Sequence, residues 1–425
     1  MTSAQTIAAD IREALAGQPV IDTHEHTRSV VAGEVRGIGD LMGRGYVRAC
    51  FRVATGAPNS LGKVLESEMP ATWEEAAPVL DQIRTNSFWH WFERGVCELH
   101  GLGPDARIDA GTWDGLTASI ARAHNSPGWL ASMLDTAHIE KVLWDPYWAV
   151  GTLAMPEPRF VPSPRVDSAM SAFHPGASDY EGNNLARDRA AEYGVEVGDV
   201  AGLEELVDRV LEASVRIGAK SLKLAQAYQR TLHLGEATRE QAQVAFGTSP
   251  DEISATDRLA FSDYMLRYQI ERAIDLGLVL QIHTGMARLA DSNPLLLEPM
   301  LQQYPRLEVD LFHGGYPWVR EFGAIAHAYP NVRLNLVWLP QLTYDGGVSA
   351  LKEWIQIVPQ ISRLAWGGDC RTPEEMYGAL LGGKATIARA LGELVDDGYL
   401  RRNDALRVAR SILYDGPRQT YHLAN

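Results

Sequence analysis

Short runs of apolar and β-branched residues recur along the chain, separated by longer stretches whose apolar positions fall three or four apart. This alternation predicts parallel strands joined by crossover helices. Eight runs stand out: 18–26 (QPVIDTHEH), 139–146 (IEKVLWDP), 159–167 (RFVPSPRVD), 219–225 (AKSLKLA), 278–285 (LVLQIHTG), 307–315 (LEVDLFHGG), 332–340 (VRLNLVWLP) and 362–370 (SRLAWGGDC). The third carries two prolines, which fit poorly inside a central strand because proline donates nothing to the ladder. Helical spacing marks 202–218, 263–277 and 319–330, each closed by Gly or Pro. Eight strands with intervening helices specify an α/β fold, a (β/α)8 TIM barrel, more readily than an open sheet.

Two stretches exceed the barrel. Residues 27–138, rich in aromatics around NSFWHWFERG, are expected to form a helical insertion after strand 1 that lies over the active-site face. Residues 1–26 and 139–425 then make the barrel. Residues 231–258 lengthen the loop after strand 4. Both stretches follow strand C-termini, where loops of this fold shape a site.

The 425 residues, 46% hydrophobic, suffice for such a core, and a formal charge of −15 argues against nucleic acid or an anionic membrane as partner. No apolar run reaches the length of a membrane span. The N-terminal segment reads as an amphipathic helix and not a secretory signal, and three scattered cysteines suggest neither a disulfide framework nor a thiolate zinc site. A cytoplasmic protein acting on a small molecule is the expectation, with a homo-oligomer compatible.

Chemistry concentrates at strand ends. His24 and His26 lie two apart, so on a strand both imidazoles point the same way roughly 7 Å apart along the chain, within reach of one metal. Lys223, His283, His313 and Asp369 fall near the C-terminal ends of runs four, five, six and eight. Each has an ordinary alternative: Lys223 a buried ion-pair partner, His313 a turn residue beside Gly314 and Gly315, Asp369 a cap for the helix after Thr372. Their recurrence at one structural address favours metal binding. Arg28, Trp144, Tyr147, Arg165, Tyr228, Arg230 and Trp338 also fall near strand ends. Arginines there suit a carboxylate through bidentate hydrogen bonds. His174 and Tyr180 are weaker candidates. His90, His100 and His138 read as structural, and Cys370 as a small packing residue, since no base is identifiable for it.

The order His-x-His, Lys, His, His, Asp over strands 1, 4, 5, 6 and 8 resembles the amidohydrolase superfamily. HGGYPW (313–318), AYPNVRLNL and WGGD, with Lys223, Tyr228 and Arg230 in KLAQAYQRTL, are similar to the amidohydrolase 2 branch, including the domain fused to glutamine-synthetase-like proteins. The resemblance implies a divalent metal, zinc foremost with manganese or iron compatible, held by His24, His26, His283 and Asp369. Lys223 would bridge a second ion if carbamylated, so one and two metals per chain both stay open. It also implies water activated by the ion, whose pKa falls to about 7. Asp369 would serve as general base, and His313 as a second-metal ligand or carbonyl polariser. Arg28, Arg165, Tyr228, Arg230 and Trp338 would contact substrate. The expected reaction is hydrolysis of an amide, cyclic amide, ester or lactone of a small carboxylated molecule. Nonoxidative decarboxylation is the alternative, followed by a sugar isomerisation, since the insertion after strand 1 resembles the arrangement in uronate isomerases.

Overall fold

The computed structural model describes residues 2–28, 32–56, 69–149 and 155–423. Its strands are β1 (Val20–Glu25), β2 (Ile139–Trp144), β3 (Phe160–Pro162), β4 (Ser221–Leu224), β5 (Val279–Ile282), β6 (Val309–Leu311), β7 (Val332–Asn335) and β8 (Leu364–Ala365). All pair in parallel, β1-β2-β3 in one run and β4 through β8 in another. Two seams join the runs. Lys223 N donates to Pro164 O (2.9 Å) beside an Arg165–Lys223 bridge. Thr23 N donates to Trp366 O (3.4 Å), Asp369 N to His24 O (2.7 Å) and His26 N to Cys370 O (2.9 Å). The sheet is therefore closed, a TIM barrel.

Each predicted run contains its strand, but the strands are shorter. His26, His283, His313, Trp338 and Asp369 all lie just past the strand ends. Trp338, expected on a strand, instead caps the short helix Leu339–Leu342 in left-handed backbone (φ 61). The prolines of the third run are accommodated because Pro162 ends β3 and Pro164 enters the seam as an acceptor.

The outward strand positions join one large apolar core with the surrounding helices. The interior is polar at mid-height. Ser163, Ser221, Gln281, Thr23 and Asn335 form a hydrogen-bonded layer with Asp310 and with Tyr421 from the C-terminal segment, whose hydroxyl meets Gln281 and Asp310. Because side chains alternate along a strand, the residues two positions beyond Ser221 and Gln281, Lys223 and His283, face the same interior one level higher.

Before β1 runs helix α1 (Ser3–Ala14). Between β1 and β2 come α2 (Ile38–Arg44), α3 (Val47–Ala54), α4 (Trp73–Ile83), α5 (Ser87–Leu99), α6 (Trp113–His124) and α7 (Trp129–Ala137), with their own apolar cluster around Phe51, Leu80, Trp89 and Ile120. Residues 29–31 and 57–68 of the expected insertion lie outside the described residues. Local chemistry starts these helices: Thr72 and Glu75 form a capping box on α4, and Asn86 caps α5. No helix among the described residues is long and apolar enough to cross a membrane.

The long helix Pro373–Asp396, capped by Thr372, packs against α1 on the barrel and against α5 of the insertion. Two glycines allow the second contact. A Cβ on Gly95 would lie 2.4 Å from Glu374 O, and one on Gly378 2.2 Å from Trp91 O. A buried carboxylate reinforces the junction. Glu374 Oε1 accepts from His124 Nε2 (2.9 Å), Trp129 Nε1 (3.0 Å) and His100 Nε2 (3.3 Å). Burial alone would raise the Glu374 pKa, but the His100 and His124 donors outweigh it and draw it from 4.5 to about 2.

Two outcomes follow for stability. Gly378→Ala, forced into backbone that cannot yield, lowers it by about 1–3 kcal/mol in chemical denaturation; an unchanged midpoint would contradict this close approach. The folded-state pKa of Glu374 is depressed, so its contribution is complete above about pH 4.5 and lost as pH falls toward 2. Glu374→Gln should therefore destabilise the protein near neutrality by about 1–3 kcal/mol. It should also flatten the acid limb of a stability-against-pH profile, and an unaltered limb would rule out this linkage.

Candidate active site

Three side chains converge above the polar layer. His24 and His26 come from the end of β1, and Asp369 from the turn after β8; one ligand atom from each lies within 4.8 Å of the others, and all three residues are buried. The turn is demanding. Asp369 sits at φ 53, a left-handed conformation tolerated by aspartate better than by most residues. A Cβ on Gly368 would lie 2.0 Å from Glu25 Oε1, and one on Gly367 2.7 Å from Thr23 Oγ1. Only glycines let the chain pass this close to β1 before Asp369 turns inward.

The hydrogen bonds assign the ring nitrogens. His26 Nδ1 lies 2.7 Å from Asp145 O, and a carbonyl can only accept, so Nδ1 carries the proton. In the neutral ring Nε2 then presents a lone pair to Asp369 Oδ1 at 3.2 Å. Two lone pairs face one another there, which a proton or a cation between them must relieve. Burial, with Lys223 and His26 nearby, holds the His24 pKa well below its ordinary value, so this imidazole is neutral. Its Nδ1 is buried without a hydrogen-bond partner. Burial would raise the Asp369 pKa, yet His26 and then Lys223 and His283 bring it below the usual carboxylate value. A neutral imidazole, a second imidazole aimed at the same point and an ionised carboxylate are the donor set of a divalent nitrogen–oxygen site.

His283 stands outside this trio. Its Nε2 meets Met286 O at 3.2 Å and its Nδ1 meets His313 Nε2 at 2.8 Å. Both its nitrogens are thus in hydrogen-bond contact away from the compact trio, whereas the sequence reading places it among the ligands. The reason is local: the chain doubles back after β5, placing Met286 O against the ring. His313 is fully buried, with its Nε2 also 3.8 Å from Asp369 Oδ2 and its Nδ1 without a partner. Burial and His283 lower its pKa well below the ordinary value. Lys223 Nζ lies 3.5 Å from His24 Nε2 and 4.2 Å from the Phe312 ring centre. Burial there lowers its pKa to about 8.

The expected substrate contacts divide. Arg28 is exposed on the cavity wall beside Trp148. Tyr228 packs on His283 (4.4 Å) and stacks on Tyr180 (4.7 Å). Trp338 packs on His313 (4.8 Å) and donates from Nε1 to Asp369 O (3.0 Å), steadying that turn. Arg165 is buried in an ion pair with Asp145 and donates to Tyr180 OH (2.6 Å). Arg230 is committed elsewhere, to Asp263, Ser262 and His233 O, with no contact to the trio among the described residues. Its neighbours come from the helix Ala255–Leu276, far along the chain, so the strand-end position misled.

Three residues join the site that the sequence reading passed over. Asp145 follows β2 directly, at the same strand-end address as the others; its carbonyl orients His26 and its carboxylate lies 3.9 Å from His24 Nε2. Tyr46, between α2 and α3, donates from its hydroxyl to Asp369 Oδ1 (3.3 Å), and nothing in its local pattern signals this. Arg371, two residues past Asp369, lines the adjoining cavity of about 1490 Å³, which reaches the trio at His26.

The family model described as Amidohydrolase matches residues 200–417. The fluG protein of Emericella nidulans is 33% identical over 150 residues, which are 34% of this chain and 17% of fluG; the chain therefore spans well under two thirds of that relative. A uronate isomerase of Rhizorhabdus wittichii is 26% identical over 383 residues, covering 79% of this chain and 78% of that one. In fold, the chain is similar to a uronate isomerase from Thermotoga maritima, with a TM-score of 0.77, 15% identity and coverage of 98% and 97% of the two chains.

Proposed function

This chain belongs to the amidohydrolase family, and from that premise we propose that it is a metal-dependent hydrolase acting on an amide, cyclic amide, ester or lactone bond of a small carboxylated molecule. The observation that carries the reading is the opposed pair His26 Nε2 and Asp369 Oδ1, 3.2 Å apart beside the neutral His24. His24, His26 and Asp369 would hold one divalent ion, zinc foremost with manganese or iron compatible. When bound, the ion supplies Lewis acidity toward a carbonyl and acidifies water.

The chain's own groups account for the remaining steps. Asp145 O fixes the His26 tautomer, the supporting hydrogen bond that keeps a ligand nitrogen aimed. Asp369 accepts a proton from the attacking water at a carboxylate oxygen; because its pKa is depressed, it releases that proton readily to the leaving group. Tyr46 OH and Trp338 hold the carboxylate and its backbone in place. His313 acts through His283, whose ring it orients by the 2.8 Å hydrogen bond. Lys223 lies at the edge of the trio, its Nζ 3.5 Å from His24 Nε2. Tyr228 and Arg28 bound the space in which the substrate lies, while Arg165 supports Asp145 and Tyr180.

A second reading, a uronate-type isomerase, is favoured by the 26% match across 79% of the chain. Product chemistry separates the two: hydrolysis places solvent oxygen in the product, whereas isomerisation leaves the formula unchanged. Release of carbon dioxide would point instead to decarboxylation.

Protein purified without added metal should contain about one divalent ion per chain by elemental analysis, with an intact mass showing unmodified Lys223. Asp369→Asn and His24→Ala should lose the ion and the turnover, and Tyr46→Phe should weaken metal retention against a chelator by about 10–100-fold. A preparation that stays metal-free after supplementation yet turns over would end the metal reading. Two ions with an added carbamate would replace the one-ion site by a bridged pair. Screening lactones, lactams and N-acyl amino acids beside glucuronate in oxygen-18 water decides the reaction, and label in the product is the expected result.

A further inference from the structure

The cavity beside the trio holds an imbalance of charge. Of the arginines on its wall, Arg36 is paired with Asp40 (2.9 Å) and Arg44 with Glu34 (2.8 Å). Arg28, Arg48 and Arg371 line the same cavity, and none of them forms an ion pair with a carboxylate among the described residues. Arg28 lies 3.8 Å over the Trp148 ring. Arg371 lies 5.1 Å from both the Tyr46 and Tyr147 rings, and its Nε is buried with no hydrogen-bond partner. Tyr147 and Trp148 are themselves in edge contact (5.1 Å), so these two guanidinium groups sit on adjacent aromatic faces. Arg48 reaches Gly43 O at 3.4 Å. Glu375, beside Arg371, spends its oxygens on the backbone N–H groups of Tyr46 and Arg371.

Gathered like charges repel one another; Glu181 lines the same cavity, but among the described residues it forms no ion pair with any of the three. A folded protein tolerates this arrangement where an anion from solution supplies the missing charge, and the planar fork of each guanidinium matches two oxygens of a carboxylate or phosphate. The aromatic faces keep the forks in place without neutralising them.

We propose that Arg28, Arg48 and Arg371 form an anion-binding subsite that grips an oxyanion group of the substrate, carboxylate or phosphate, apart from the bond that reacts at His24, His26 and Asp369. The subsite rests on the reading of that trio as the reactive centre. It is built from both parts of the chain: Arg48 comes from α3 of the insertion, Arg28 follows β1 and Arg371 follows β8. The substrate is then a molecule anionic at one end and electrophilic at the other, and the insertion selects it.

Calorimetric titration with succinate, inorganic phosphate and neutral acetamide tests the subsite. Succinate or phosphate should bind with one-to-one stoichiometry and acetamide should not; the tighter of the two anions identifies the oxyanion. Arg48→Gln and Arg371→Gln should each weaken that anion by about tenfold or more, the size of losing a charge-assisted hydrogen bond. Arg28→Gln, at an exposed position, provides the same comparison if a more buried variant fails to fold. Asp369→Asn should lose metal but keep anion binding, which separates the subsite from the reactive centre. Failure of both anions to bind, or equal binding by wild type and the arginine variants, would overturn the subsite while leaving the metal reading intact. Anion binding by a protein that never takes up metal would leave the subsite standing and remove the reactive centre.

Discussion

The hydrogen bond from Asp369 N to His24 O, 2.7 Å long, lies at the seam where the last strand meets the first. It closes the barrel, and it also brings a carboxylate within reach of two imidazoles that lie more than three hundred residues earlier in the chain. The seam tolerates little variation. Gly367 and Gly368 pass too close to Thr23 and Glu25 for any side chain, and Asp369 must then adopt left-handed backbone to face inward. Below it, Asp22 Oδ1 accepts from Gly368 N (2.9 Å) and Glu25 Oε2 from Cys370 N (2.7 Å), so carboxylates of β1 pin the turn after β8 from two sides. A displacement at this junction would open the barrel and disperse the trio together.

Around that seam the barrel and the insertion divide the labour by charge. The barrel interior dehydrates its histidines, which keeps His24 and His313 neutral, while the contact with His26 and the nearby Lys223 keep Asp369 ionised. The insertion contributes a hydroxyl to Asp369 through Tyr46 and a cation to the cavity through Arg48. Two consecutive residues of one helix hold the parts together. Glu374 takes donors from His100, His124 and Trp129, and Glu375 takes backbone donors from Tyr46 and Arg371. The helix that begins just after Asp369 thereby sets the position of the insertion relative to the reactive groups.

Much of the barrel was legible because parallel strands buried on one face by helices read as short apolar runs, and each of the eight runs does contain a strand. The strand-end rule was equally informative for His24, His26, His313 and Asp369, since a side chain just past a barrel strand has nowhere to point but the mouth. The same rule said less about Arg230, whose guanidinium is captured by Asp263 from a neighbouring helix, and about His283, whose nitrogens meet the turn carbonyl of Met286 and the ring of His313. It was also applied too narrowly, since Asp145 and Arg371 stand at strand ends as plainly as the residues that were chosen.

Sequence by itself therefore determined the elements, their order and several of the side chains at the strand ends, because strand periodicity and chain direction are local properties. Only the tertiary structure decided which of those side chains meet. The tautomer of His26 depends on a carbonyl more than a hundred residues away, the contacts of His283 on the return of its own loop, and the lack of ion pairs for Arg28, Arg48 and Arg371 among the described residues on where Glu34, Asp40 and Glu375 make their own contacts. Close contacts are limited: once the oxygens of Glu34, Asp40 and Glu375 are taken by nearer donors, they are not free to form a second direct hydrogen bond to these guanidinium groups. That allocation is a property of the packed molecule and has no signature along the chain.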